Sequence, residues 1–102
     1  MRQVIVAPEA EARMRRIDSW WRSNRTASPG LFTEELAAAI ETLAVAPDVG
    51  HRYPHPDVPG VRRVLLRATR HHVYYVTGAE AVVIVAVWGS IKGAGPDLSG
   101  SR

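Results

Sequence analysis

The stretch VRRVLLRATRHHVYYVTGAEAVVIVAVW, residues 61–88, decides how this chain folds. It holds eight of the thirteen valines and two of the three tyrosines of the protein, in three runs with short breaks between them, and such residues suit the pleated, half-buried surface of a strand. Residues 61–66 and 73–77 alternate enough to read as strands whose two faces meet different surroundings. Residues 81–88 do not alternate: Val82, Val83, Ile84, Val85, Ala86 and Val87 are all apolar, the pattern of an inner strand covered on both faces. The break TGAE, residues 77–80, is short and contains glycine, which predicts a tight antiparallel hairpin. The expected scaffold is a three-stranded antiparallel meander. Arg62, Arg63, Arg67, Arg70, His71, His72, Tyr74 and Tyr75 sit on its first two strands and the turn between them.

Upstream, residues 3–6 read as a short strand ended by Ala7 and Pro8. Proline at a first helical position, with Glu9 and Glu11 in the first turn, starts a helix over residues 8–24, because the missing proline N–H costs nothing there and acids suit the positive end. Ala10, Met14, Ile17 and Trp21 form its apolar stripe, with Trp20 beside it read as a boundary residue of the core rather than a base-stacking platform. Ser28 and Pro29 repeat the start signal, and Phe32, Leu36, Ile40 and Leu43 give a second amphipathic helix. Two helices joined by a short turn pack as an antiparallel hairpin, and each has one apolar stripe to bury, so the pair covers one face of the meander. Residues 51–60 carry Pro54, Pro56 and Pro59 and read as a loop. The fold expected is α+β in the order βααβββ, with one domain over residues 1–92 and a flexible tail over 93–102.

A chain of 102 residues supports a single core. It has no cysteine, which excludes disulfides and thiolate metal sites, and no apolar run approaches the roughly 20 residues of a membrane span. A cytoplasmic location and no membrane partner are expected. The net charge is +3, but residues 51–102 hold seven basic and three acidic side chains and all four histidines. The positive field therefore belongs to the meander, which suits a phosphate-bearing or acidic partner. His51 and His55 are separated by a proline that bars a helical metal pair, and His71 and His72 point to opposite faces of a strand. No metal and no cofactor are expected.

The order of these features resembles the RelE/ParE superfamily of toxins from type II toxin–antitoxin modules. The resemblance rests on the opening strand, the helix start at Pro8, Glu9, Ala10 and Glu11, and the turn between Pro47 and Gly50. It extends through the strands with Val61, Arg62, Arg63 and His72, Val73, Tyr74, Tyr75 to the ending Trp88, Gly89, Ser90, Ile91, Lys92, Gly93. It implies a growth-inhibiting toxin neutralised by a cognate antitoxin, in a possible higher-order toxin–antitoxin complex. Two targets are implied: DNA gyrase, poisoned by contact, for ParE-like members, and mRNA on the ribosome, cut without a metal, for RelE-like members. Arg62, His72 and Lys92 match the positions of basic residues in the nucleases, with Tyr74 a further catalytic candidate. The tail lacks the late tyrosine or histidine that ribosome-dependent nucleases often carry, which turns the reading toward a gyrase poison. A non-toxic protein- or nucleic-acid-binding module is the alternative from another class.

RNA cleavage without a metal needs a base for the 2′-hydroxyl, an acid for the leaving oxygen and cations for the phosphorane charge. His72 suits either of the first two roles, and Arg62 with Lys92 the third. A base without a matching acid is an incomplete set, so His72 is read as a contact residue. The resemblance implies an open face on the His72 and Tyr74 side with Tyr75 buried. Arg62, Val64, Leu66, Arg70, His72, Tyr74 and Trp88 are the expected antitoxin or target contacts.

Overall fold

Proline at residue 8 and the acids behind it do start a helix. In a computed structural model that describes residues 1–90 and 98, β1 (Gln3–Val6) leads into α1 (Pro8–Asn24) and α2 (Leu31–Val45). A two-residue β2 (His51–Arg52) follows, then β3 (Arg62–Leu66), β4 (His71–Thr77) and β5 (Ala81–Gly89). The strands form one sheet in the order β1-β5-β4-β3-β2, and the expected α+β architecture is present with the meander at its centre. Ser28, Pro29 and Gly30 are used in the turn, so α2 begins at Leu31.

Two pairings extend the meander to five strands. β1 runs parallel to β5, with Val4 opposite Val82 and Val6 opposite Ile84. A parallel pair needs a long crossover, which the helix hairpin contributes to. β2 pairs antiparallel with β3, His51 opposite Arg63 and Arg52 opposite Arg62, where the sequence predicted the start of a loop. Proline removes ladder donors only from residue 54 onward, so His51 and Arg52 keep the N–H groups a short edge strand needs.

The hairpin packs on one face of the sheet. Ala10, Met14 and Ile17 of α1 and Phe32, Leu36 and Leu43 of α2 meet Leu66, Val73, Tyr75, Val82, Ile84 and Val87 in the main core. Thr33 Oγ1 donates to Asp18 Oδ1 at 2.8 Å, and Trp21 Nε1 donates to the Ser28 carbonyl at 3.0 Å, tying the helices and their turn together. The Thr33 hydrogen bond, with Arg22 beside it, holds the Asp18 carboxyl below its ordinary pKa. Trp20, expected at the core boundary, is 48% exposed.

A second cluster covers part of the far face, where Val58, Val61, Tyr74, Val85 and Leu98 are buried with Tyr53, Val83 and Trp88 around them. Tyr74 faces Ala86 and Tyr75 faces Ile84, so Val85 is the extra residue of a bulge. Of residues 93–102 only Leu98 is described, and its side chain is fully buried; the other tail residues and Lys92 lie outside the described residues. Among the described residues no helix is long and apolar enough to cross a membrane.

Candidate partner-binding face

Cross-strand register sorts the candidate residues onto two faces. Arg62, Val64 and Leu66 stand opposite Tyr75, Val73 and His71, and directly opposed residues of an antiparallel pair project to the same side. That side is the one under the helices, because Val73 and Tyr75 belong to the main core. The expectation that Val64 and Leu66 lie on the open face is therefore corrected: Leu66 is 2% exposed within the core and Val64 packs against it. Alternation groups the residues of one strand by face, but only the register between strands says which group of β3 joins which group of β4. The residues that do lie beside His72 and Tyr74 are Leu65 and Arg63, with Trp88 opposite His72 on the other flank.

Arg62 is engaged in structure. Its Nη1 donates to the Gly50 carbonyl at 2.8 Å and toward the Asp48 carbonyl at 3.4 Å. Alongside, the Tyr75 hydroxyl donates to the Pro47 carbonyl at 2.7 Å and accepts from the Gly50 N–H at 2.9 Å. Burial raises the Tyr75 phenol above its ordinary pKa of 10.0. A Cβ at Gly50 would stand 2.6 Å from the Tyr75 hydroxyl and 2.9 Å from the Arg63 carbonyl, so only glycine lets this turn approach the sheet so closely.

The far face is aromatic and basic. Tyr53 and Tyr74 meet edge to face with centroids 4.9 Å apart, and the Arg63 guanidinium lies 5.0 Å from the Tyr53 ring and 6.0 Å from that of Tyr74. Arg63 Nη1 also donates toward the Tyr74 hydroxyl at 3.4 Å. The His72 ring is 6.0 Å from that of Tyr74, and its pKa falls below the ordinary 6.5 through burial first and the Arg63 charge second. Leu65 is 44% exposed, and Tyr53, Pro54, Val58 and Val61 line an open depression of about 430 Å³. Tyr74, expected among the contacts, is only 2% exposed, which corrects that expectation and leaves Arg63, Leu65 and His72 as the accessible residues here. Arginine beside aromatic rings is a composition enriched at protein contacts, and Leu65 adds exposed apolar area.

Arg70 stands apart from His72 and Tyr74. It occupies the β3–β4 turn with φ 64°, its N–H bonded to the Leu66 carbonyl and its own carbonyl accepting from the Ser90 N–H. Glu35 of α2 steadies the same turn, accepting from the Ala68 N–H at 2.7 Å, the Thr69 N–H at 3.1 Å and Thr69 Oγ1 at 2.7 Å. Sequence reasoning missed Glu35, which is remote in the chain from the turn it holds. Leu65 was within reach, as the apolar residue between Arg63 and Arg67 on one side of the strand. Among the described residues no group of three or more His, Asp or Glu is placed to hold a metal ion.

The model of the family described as the ParE toxin of type II toxin–antitoxin systems, parDE, matches residues 4–90. The chain belongs to the ParE toxin family. It is the toxin component of a type II toxin–antitoxin system, and the partner implied for such a toxin is a cognate antitoxin. The resemblance to RelE/ParE toxins drawn from the order of motifs is borne out. A structure described as a chromosomal ParDE toxin–antitoxin system from P. aeruginosa is similar at a TM-score of 0.69 and 16% identity, covering 87% of this chain and 96% of that one. A doubly arginine-to-alanine substituted E. coli toxin RelE in its free state is similar at a TM-score of 0.62 and 14% identity, covering 87% of this chain and 83% of that one. At such identities the two structures show a shared fold. A search of curated proteins gave no match.

Proposed function

We propose that this ParE-family toxin arrests growth by a contact mechanism directed at DNA gyrase in the cytoplasm, without cutting RNA, and that its antitoxin covers the far face around Leu65, His72 and Trp88. The observation that supports this reading is the separation of Arg62 from His72 onto opposite faces of the sheet. Metal-free cleavage needs base, acid and cations within hydrogen-bond reach of one phosphate. Arg62 is occupied by the carbonyls of the 48–50 turn, and the charge that perturbs His72 is a second cation, Arg63, rather than a carboxylate that would raise its basicity. The far face offers contact chemistry instead, with exposed Leu65 opposite His72 and Arg63 two residues before it on the same side of β3.

Expression of the chain in bacteria without its antitoxin tests the reading. The expected result is growth arrest with cleaved DNA and an induced damage response, intact transcripts, and relief on co-expression of the antitoxin. His72→Gln keeps the toxicity, while Arg62→Ala lowers it by loosening the turn it holds. Transcript cleavage by the parent chain that disappears in His72→Gln would make the protein a RelE-like nuclease and His72 its catalyst.

A further inference from the structure

A groove of about 740 Å³ lies between α1 and the β3–β4 turn, within the size range of small-ligand sites. Arg13, Arg16, Trp20, Arg25, Arg70 and His71 line it, and among the described residues no acidic side chain does. On α1, residues 13, 16 and 20 form a stripe next to the buried one of Ala10, Met14 and Ile17, so burying the core stripe turns the arginines and Trp20 toward the turn. On α1, ion pairs join Arg15 to Glu11 and Arg22 to Asp18, and neither draws on the arginines of the groove. Arg13 is stacked on the Trp88 ring at 4.3 Å, at the margin of the cleft; the guanidiniums of Arg16, Arg25 and Arg70 around it repel one another, and an anion is the partner that would offset this.

Two further features give the anion a shape. Trp20 is half exposed, and the Arg25 guanidinium lies over its ring at 5.0 Å, which puts a cation and an aromatic surface together at the groove. Arg70 is the one described non-glycine residue at positive φ, a strained conformation held by bonds from Leu66 and Ser90 and of the kind that collects at binding sites. Inorganic phosphate or an acidic peptide would use the arginines but leave the indole idle. A nucleotide uses both, because every base has a π-face to stack on tryptophan or on a guanidinium plane, and phosphate oxygens match the arginine fork.

We propose that this groove takes one nucleotide of a single-stranded nucleic acid, its base stacked on Trp20 and its flanking phosphates on Arg16, Arg25 and Arg70. The groove adjoins the His72 face at one end, where the Arg13 guanidinium lies 4.3 Å from the Trp88 ring, but its stacking surface is Trp20 and it does not depend on which target the toxin poisons.

Fluorescence anisotropy of a labelled oligothymidylate, titrated with the purified chain at low salt, tests it. Trp20→Ala and Arg16→Ala each weaken binding about tenfold or more, in line with the usual worth of one stacked base. Arg70→Asn does the same, with asparagine chosen because it tolerates the left-handed backbone of the turn. Each arginine removed also flattens the slope of log affinity against log salt by about 0.7. Arg15→Ala, which takes the same charge from the same helix outside the groove, leaves binding unchanged, and circular dichroism checks that every variant is folded. Absence of binding at low salt would overturn the proposal, as would unchanged affinity in folded Trp20→Ala or equal competition by polyglutamate. Thymidine monophosphate competing as well as the strand, nucleotide for nucleotide, would overturn it in favour of a free-nucleotide site.

Discussion

The Tyr75 hydroxyl is the smallest unit on which the architecture turns. It joins the Pro47 carbonyl and the Gly50 N–H, residues 28 and 25 positions away, to the centre of the sheet. Burial of Tyr75 was legible from the alternation of β4, but its polar partners were not, because hydrogen bonds across such separations leave no periodic trace. Tyr75→Phe keeps the ring and leaves a buried donor and acceptor without their partner, so it should lower stability by about 1–3 kcal/mol. Urea unfolding of the two proteins checks this; an unchanged midpoint would show that the turn does not depend on the hydroxyl. Arg62 acts on the same turn, donating to the Gly50 carbonyl, and so serves as a structural clamp where residue type alone suggested a phosphate contact.

At the scale of the element, β3 carries two adjacent leucines with opposite fates. Leu66 is 2% exposed beneath the helices and Leu65 is 44% exposed on the far face. Leu66→Ala should cost about 2–5 kcal/mol of stability, the usual range for emptying a core site. Leu65→Asp should leave the melting temperature near that of the parent and weaken antitoxin binding by about 2 kcal/mol, roughly 30-fold, as expected for an interface anchor. Calorimetric titration of the antitoxin together with thermal melts separates the two; full affinity in the Leu65→Asp variant would put the antitoxin elsewhere. The helix α1 shows the same division, one stripe buried in the core and the neighbouring stripe of Arg13, Arg16 and Trp20 facing the groove.

Over the whole molecule, the first and last strands of the described residues close on each other: β1 pairs with β5, which covers the edge of the most apolar strand and draws the helices over the sheet. Stability of the folded chain also depends on pH through two adjacent histidines. His71, half buried against Phe32, has its pKa lowered by burial and by Arg13, with the Thr69 carbonyl and Glu35 opposing, and His72 is lowered by burial and Arg63. Both therefore bind a proton less readily folded than unfolded. Below their ordinary 6.5 the unfolded chain takes up protons that the folded chain resists, so stability present above 6.5 is lost as pH falls toward the folded-state values. Melting temperature should accordingly drop between pH 7 and pH 5, and the drop should shrink in the His71→Gln, His72→Gln double variant. An equal drop in that variant would assign the effect to other groups.

Local pattern was enough for the α+β class, α1, α2, the meander and the family. A helix start such as Pro8 with Glu9, or the apolar run of β5, acts through neighbours a few residues away, and short-range physics is written in short-range sequence. Tertiary structure alone decided the parallel β1–β5 pair, the His51–Arg52 edge strand and which face of β3 is buried. A strand has two alternating faces that the chain can distinguish from each other but not assign to sides of the sheet. That assignment waits on register, and a slip of one residue would have buried Leu65 and exposed Leu66. The arginine groove has the same origin: its charges come from both halves of the chain, and only the packing of α1 against the β3–β4 turn brings Arg13, Arg16, Arg25 and Arg70 around one cleft.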